Sequence, residues 1–192
     1  MDLTITSEFD ARIQTIAHEA DVPMTLVKAI VWQESDGRPY AFNPEPRYRY
    51  LWDNRLRKPF RPLTSIEGSS EIPPPDFVAV DRDVDRDAEW WGQQMSWGLM
   101  QVMGAVAREY GFAGDFLSEL CVPAVGLEYG CRHLAHLHRR FGPDWAPVIA
   151  AYNAGSPRQT ASGAFENQEY VDSVLRKWET INTAFMGFDE RR

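Results

Sequence analysis

Between Tyr170 and Ile181 the apolar residues fall at Tyr170, Val171, Val174, Leu175, Trp178 and Ile181. Steps of three and four lay one continuous stripe along an α-helix. The same period governs most of the chain and leaves little material for a sheet. Phe9, Ile13, Ile16, Ala17 and Ala20 make a first stripe, with Ser7 as its expected cap. Pro23 suits the first turn of a second helix, in which Val27, Ile30 and Val31 share a face, and Gly37 with Pro39 ends it. Leu99, Val102, Met103, Val106 and Tyr110 read as a further helix stopped by Gly111. Leu127, Cys131, Leu134, His138 and Phe141 form another stripe, and Trp145, Val148, Ile149 and Tyr152 a shorter one ending near Gly155. The expectation is an all-α fold of six or so helices, without an internal repeat.

Residues 39–92 break the pattern. "PYAFNPEPRYRYLWDNRLRKPFRPL" and "EIPPPDF" are dense in Pro, Arg and aromatic residues and have no clean period, which predicts an irregular but ordered insertion. Its rings either stack on sugar faces in a cleft or give a long loop a small core of its own; composition favours neither. With 192 residues, 44% of them hydrophobic, the chain has material for one sizeable core, so a single domain spanning 1–192 is expected, with the insertion at about 39–92.

A formal charge of −8 argues against a polyanion-binding surface, so nucleic acid is not an expected partner. No apolar run approaches the roughly 20 residues that cross a bilayer, and membrane insertion is not expected. "MDLTITSEFD" is acidic where a secretion signal has a basic segment followed by an apolar one. Cys121 and Cys131 are expected as free thiols. Pro123 suits a helix start that carries Cys131 along it, and the rise per residue sets the two sulfurs more than about 10 Å apart.

Against this background Glu34 stands out. It falls on the apolar face of the second helix, one turn beyond Ile30 and Val31, in "VKAIVWQES". Burial disfavours a charged carboxylate there, and the negative end of the helix dipole opposes it again. A carboxyl that keeps its proton near neutral pH suits general acid catalysis. Alternatively, Glu34 ends an amphipathic helix and points into water.

Three downstream segments bear on that choice. "ES" at 34–35, "GLMQ" at 98–101, "AYNAG" at 151–155 and "EYV" at 169–171 resemble, in order, the four motifs of lytic transglycosylases, which share the lysozyme-like helical fold with goose-type lysozymes. The resemblance covers roughly residues 8–38 and 92–182. It implies a lysozyme-like helical domain with Glu34 as the catalytic acid, protonating the oxygen between N-acetylmuramic acid and N-acetylglucosamine. The same group then acts as base on the muramoyl C6 hydroxyl and closes a 1,6-anhydro ring. It implies substrate contacts at Gly98, Leu99, Met100 and Gln101, with Ser96 kept just upstream, a sugar-contacting and acid-supporting role for Tyr152 and Asn153, and a positioning role for Tyr170. Taken alone, Leu99 is plain core, Met100 lies off its stripe and is the better ligand-facing candidate, Asn153 and Gly155 make an ordinary helix end, and Tyr170 an ordinary core tyrosine.

Two departures from the family pattern are visible. Ser35 and Gly98 are 63 positions apart, far more than in compact members, and the small residues that often precede "GLMQ" are replaced by "WWGQQMSW". A second carboxylate of the kind ordinary glycosidases use is not evident. Asp36 projects from another side of the helix, while Asp53, Asp76 and the acids of "DRDVDRD" lie in the insertion, within reach of a cleft. A one-acid mechanism assisted by the substrate's N-acetyl group needs none of them. "DRDVDRD" opens like a calcium loop, but Arg86 stands where Gly is required and Gly92 where Glu is. His133 and His136 sit one turn apart with no third ligand on their face, so neither a metal nor any other cofactor is expected.

The sequence therefore reads as a peptidoglycan lytic transglycosylase acting on glycan strands. "SWGLMQVMGAVARE" resembles phage-borne members of the family, which implies a virion or lysis assembly and a protein made in the cytoplasm that acts on the cell wall. The competing readings are a goose-type muramidase, which adds water instead of closing the ring, and a non-catalytic wall-binding or virion structural module.

Overall fold

A computed structural model describes residues 9–81 and 83–189; the expected Ser7 cap lies outside them. In chain order the elements are helices α1 (Asp10–Glu19) and α2 (Met24–Ser35), strands β1 (Phe42–Pro44), β2 (Trp52–Asp53) and β3 (Lys58–Pro59), helix α3 (Arg86–Gln93), strands β4 (Met95–Trp97) and β5 (Val102–Met103), and helices α4 (Gly104–Glu109), α5 (Pro123–Phe141), α6 (Trp145–Ala154) and α7 (Gln168–Asp189). Single 3-10 turns occupy Glu67–Ser69 and Leu117–Cys121. Helix dominates, as the periodicity predicts, and the strands are short. No described helix is long and apolar enough to cross a membrane. The chain divides into two compact units, one comprising the residues up to Gly37 and from Gly130 onward, the other Arg38–Tyr129.

In the first unit α2 packs along α7, with α1 against α2 and α6 against α7. Leu26, Val27, Ala29, Ile30 and Val31 of α2 are completely buried, as are Ile13 and Ala17 of α1, Val148 to Ala151 of α6, and Val171 and Val174 of α7. Each such Leu, Ile or Val contributes roughly 1.5–3 kcal/mol by leaving water. Lys28 also lies within this layer, and its Nζ pairs with Asp10 at 2.8 Å. Trp178 Nε1 donates to Thr25 Oγ1 at 2.8 Å, a polar tie between α7 and α2. Helix α2 ends as Asp36 turns left-handed at φ 53, one residue before Gly37.

The second unit is built differently. β1, β4 and β5 form an antiparallel sheet in that order, with Asn43 opposite Ser96 and Ser96 opposite Met103. Leu51, Phe77 and Trp90 form a separate buried cluster, with Phe60 and Leu63 packed on it. Phe60 meets Phe77 and Phe77 meets Trp90 edge to face, at 5.4 and 5.1 Å. For these rings, then, the small-core reading holds, whereas Tyr40 and Phe42 remain exposed. Residues 39–92 are also more regular than expected, since α3 begins inside them. Asp85 caps α3, its side chain accepting from the Asp87 and Ala88 amides.

Beneath α3 and α4 lies a buried ion pair. Arg108 and Glu89 make two bonds, Nε to Oε1 at 2.9 Å and Nη2 to Oε2 at 2.7 Å. Gln93 and Asn54 donate to Glu89 Oε1, each at 2.9 Å, and Arg108 Nη1 reaches the Phe112 and Gly114 carbonyls. Both charges are thus fully hydrogen-bonded, the condition under which a buried pair is tolerated.

Two expectations are corrected here. Leu99 to Met103 are not helical; the chain turns at Gly98 (φ 71) and Gln101 (φ 47), runs through β5, and becomes helical only at Gly104. A buried turn followed by a strand imitates helical spacing over so short a stretch. Met100, expected to lie off the core, is completely buried, as deep as Leu99. Asp53 and Asp76 have local partners, Asp53 accepting from the Leu56 amide and Asp76 pairing with Arg61 at 2.7 Å. Cys121 and Cys131 are free and buried.

Candidate active site

Glu34 occupies the last turn of α2 and is half-buried. Because α7 packs along α2, its first turn brings Tyr170 alongside, and the Tyr170 hydroxyl donates to Glu34 Oε1. Burial first, then the Glu34 charge, pushes the Tyr170 phenol well above its ordinary range. Tyr152, on α6, is raised in the same way, by burial, then by Glu34, then by Cys131. Two phenols that keep their protons therefore share the field of one carboxylate. The Tyr152 ring also lies 5.2 Å from the ring of His133. That imidazole is pushed down to about 4 by burial and by His136, and so is neutral at physiological pH.

Asn153 is exposed in the final turn of α6, and its Oδ1 accepts from Asn167 Nδ2 at 2.9 Å. The same Asn167 amide donates to the Ala150 carbonyl at 3.0 Å, tying the loop before α7 to the end of α6. Next to the acid, Gln33 Oε1 accepts from Ser173 Oγ at 2.8 Å and Lys177 Nζ at 2.7 Å. These bonds fasten the end of α2 onto α7 and hold the turn that carries Glu34. Sequence reading missed Asn167, Gln33, Ser173 and Lys177, because each acts through a partner distant in the chain or on another element. Ser173 and Lys177 at a four-residue interval were the one local signal.

The "GLMQ" segment belongs to the unit Arg38–Tyr129. Ser96 Oγ donates to Gln101 Oε1 at 2.9 Å, while Gln101 Nε2 donates to the carbonyls of Gly98 at 2.9 Å and Ala41 at 3.1 Å. The Gln101 side chain thus staples its own turn and offsets the cost of a left-handed backbone at a residue with a Cβ. Gly98 is required twice over. It has φ 71, and a Cβ there would lie 2.3 Å from the Leu120 carbonyl oxygen. Of the residues singled out from sequence, Glu34, Tyr152 and Tyr170 come together in one unit, and Ser96, Gly98 and Gln101 in the other. The side chains of Leu99 and Met100 are buried.

No curated protein matches this chain. The family described as transglycosylase SLT domain matches residues 12–170. That span covers most of the chain and contains Glu34, the "GLMQ" turn and "AYNAG", and it closes on Tyr170 itself. Its helical content agrees with the lysozyme-like fold of that family. The chain therefore belongs to the transglycosylase SLT domain family, lytic transglycosylases whose substrate is peptidoglycan.

Proposed function

We propose that Glu34 serves as both acid and base in cleaving the β-1,4 bond between N-acetylmuramic acid and N-acetylglucosamine. The protonated carboxyl gives its proton to the bridging oxygen as the bond from that oxygen to the muramoyl C1 breaks. Charge developing at C1 is met by the carbonyl oxygen of the substrate's own N-acetyl group, so no second carboxylate is required. The ionised Glu34 then takes the proton from the C6 hydroxyl as that oxygen bonds to C1. The carboxyl regains its proton, the 1,6-anhydro ring is closed, and no water is consumed. The observation that carries this reading is the hydrogen bond from Tyr170 to Glu34. A donor that does not itself ionise orients the carboxylate and supports its charge in the interval between the two transfers.

In the same reading Ser96, Gly98 and Gln101 shape a turn whose main-chain groups contact the sugars, with Leu99 and Met100 buried behind it, while Tyr152 and Asn153 contact sugar beside the acid. A phage setting, in wall penetration or lysis, belongs to this reading as well; it is supported by the resemblance of residues 96–109 to phage-borne members. Removing the proton donor tests the core of it. Glu34→Gln is expected to lower the release of soluble fragments from purified sacculi by about 10²–10⁴-fold with the melting temperature unchanged, and a variant that still clears sacculi at the wild-type rate defeats the assignment.

A further inference from the structure

Beside the acid, a cavity of about 510 Å³ is lined by Gln33, Glu169, Tyr170, Asp172, Ser173 and Arg176. Five of these residues lie on one face of α7 and Gln33 comes from α2. Tyr170 is both a wall of this cavity and the hydrogen-bond donor to Glu34. The lining is charged, and in both signs. Arg176 and Glu169 have no ion-pair partner among the described residues, while Asp172 Oδ1 accepts only the uncharged Gln168 amide, at 2.8 Å.

Gln33 adds a donor. Lys177 Nζ can only donate, and it lies 2.7 Å from Gln33 Oε1, so the amide orientation is fixed and Nε2 is left over for an acceptor. Along the helix, Glu169 and Arg176 are seven residues apart, a span of about 10 Å, with Asp172 between them. A cation-seeking stretch and an anion-seeking end thus lie in line.

Which part of peptidoglycan fits such a lining follows from its chemistry. The glycan backbone carries N-acetyl and hydroxyl groups without charge, and the muramoyl lactyl carboxyl is taken up in an amide. Free carboxylates and a free amine occur on the short peptide stem. We infer that this cavity is a subsite for the zwitterionic stem peptide of a muramoyl residue held at Glu34, with Arg176 and Gln33 on a stem carboxylate and Asp172 and Glu169 on the stem amine. This rests on the assignment of Glu34, because the shared Tyr170 is what sets the stem beside the scissile bond.

The test compares kcat/KM on strands that carry stems with kcat/KM on strands from which an amidase has removed them, for wild type and for Arg176→Ala. The expected result is a wild-type preference for stem-bearing strands that shrinks by about tenfold in the variant and weakens as salt is raised. In parallel, calorimetry on the Glu34→Gln protein is expected to show tighter binding of a disaccharide-peptide than of the bare disaccharide. Acetylation of the stem amine is expected to erase part of that difference. A preference that Arg176→Ala leaves intact, or equal binding of the two ligands, overturns the subsite while leaving the role of Glu34 standing. A wild-type enzyme that releases no anhydro product from either kind of strand removes both.

Discussion

The two units of this chain are held together by different means. Residues 9–37 and 130–189 form helices whose apolar faces meet directly, and the acid stands where one such face ends. Residues 38–129 contain short strands, a separate aromatic cluster and a buried ion pair with four polar neighbours. The difference is one of tolerance. An apolar layer loses one side chain's worth of burial when altered, whereas a hydrogen-bonded charge pair leaves an uncompensated ion when one partner is removed.

The largest effect is expected from that pair. Arg108→Met leaves Glu89 charged and buried, and a loss of about 3–5 kcal/mol is expected by urea unfolding; a loss below about 1 kcal/mol breaks the contrast between the two units. In the other unit the weak point is pH. His133 is neutral in the fold with its pKa at about 4, against 6.5 for the ordinary group. As pH falls through this window the unfolded chain binds a proton that the folded chain refuses. Stability declines there by up to about 3 kcal/mol. His133→Phe should flatten this acid limb in a series of melts across pH, and a limb of unchanged slope rules His133 out as its source.

Tyr170→Phe separates chemistry from stability. Losing the donor to Glu34 is expected to lower kcat by about ten- to a hundredfold with little change in the urea midpoint, so a collapse in stability without a specific loss of kcat would make Tyr170 a packing residue only. The smallest effect belongs to the insertion. Asp85→Ala removes the α3 cap at a cost of about 1 kcal/mol, measurable as a shift in midpoint without altered product, and no shift at all would mean that α3 does not depend on its cap.

What could be read from the chain follows the same division. Helices α1, α2, α5, α6 and α7 were visible because burial against a neighbouring helix imposes a three-to-four spacing, and Pro23, Pro123 and Gly155 mark their ends. Glu34 was visible as a charge on such a stripe, and Tyr152 and Tyr170 through family resemblance. The turn at residues 98–103 was misread because Gly98 was the one compositional sign of it, while Gln101, a residue with a Cβ, leaves no trace of its left-handed backbone. The aromatic core of Leu51, Phe77 and Trp90 and the Glu89 network join positions far apart in sequence, so periodicity contains no information about them. Lys177 and Ser173 share an acceptor, Gln33, on another helix and about 140 positions away in the chain, so no local pattern reveals it.

One carboxyl that gives a proton and takes one back is the core of this account, and the fate of water tests it directly. Digesting purified sacculi in heavy-oxygen water and weighing the released fragments shows whether solvent oxygen enters the muramoyl C1. Ring closure by Glu34 gives anhydro fragments, lighter than hydrolysed ones by one water and free of label. Fragments bearing one heavy oxygen at a reducing end would contradict it and make this protein a muramidase.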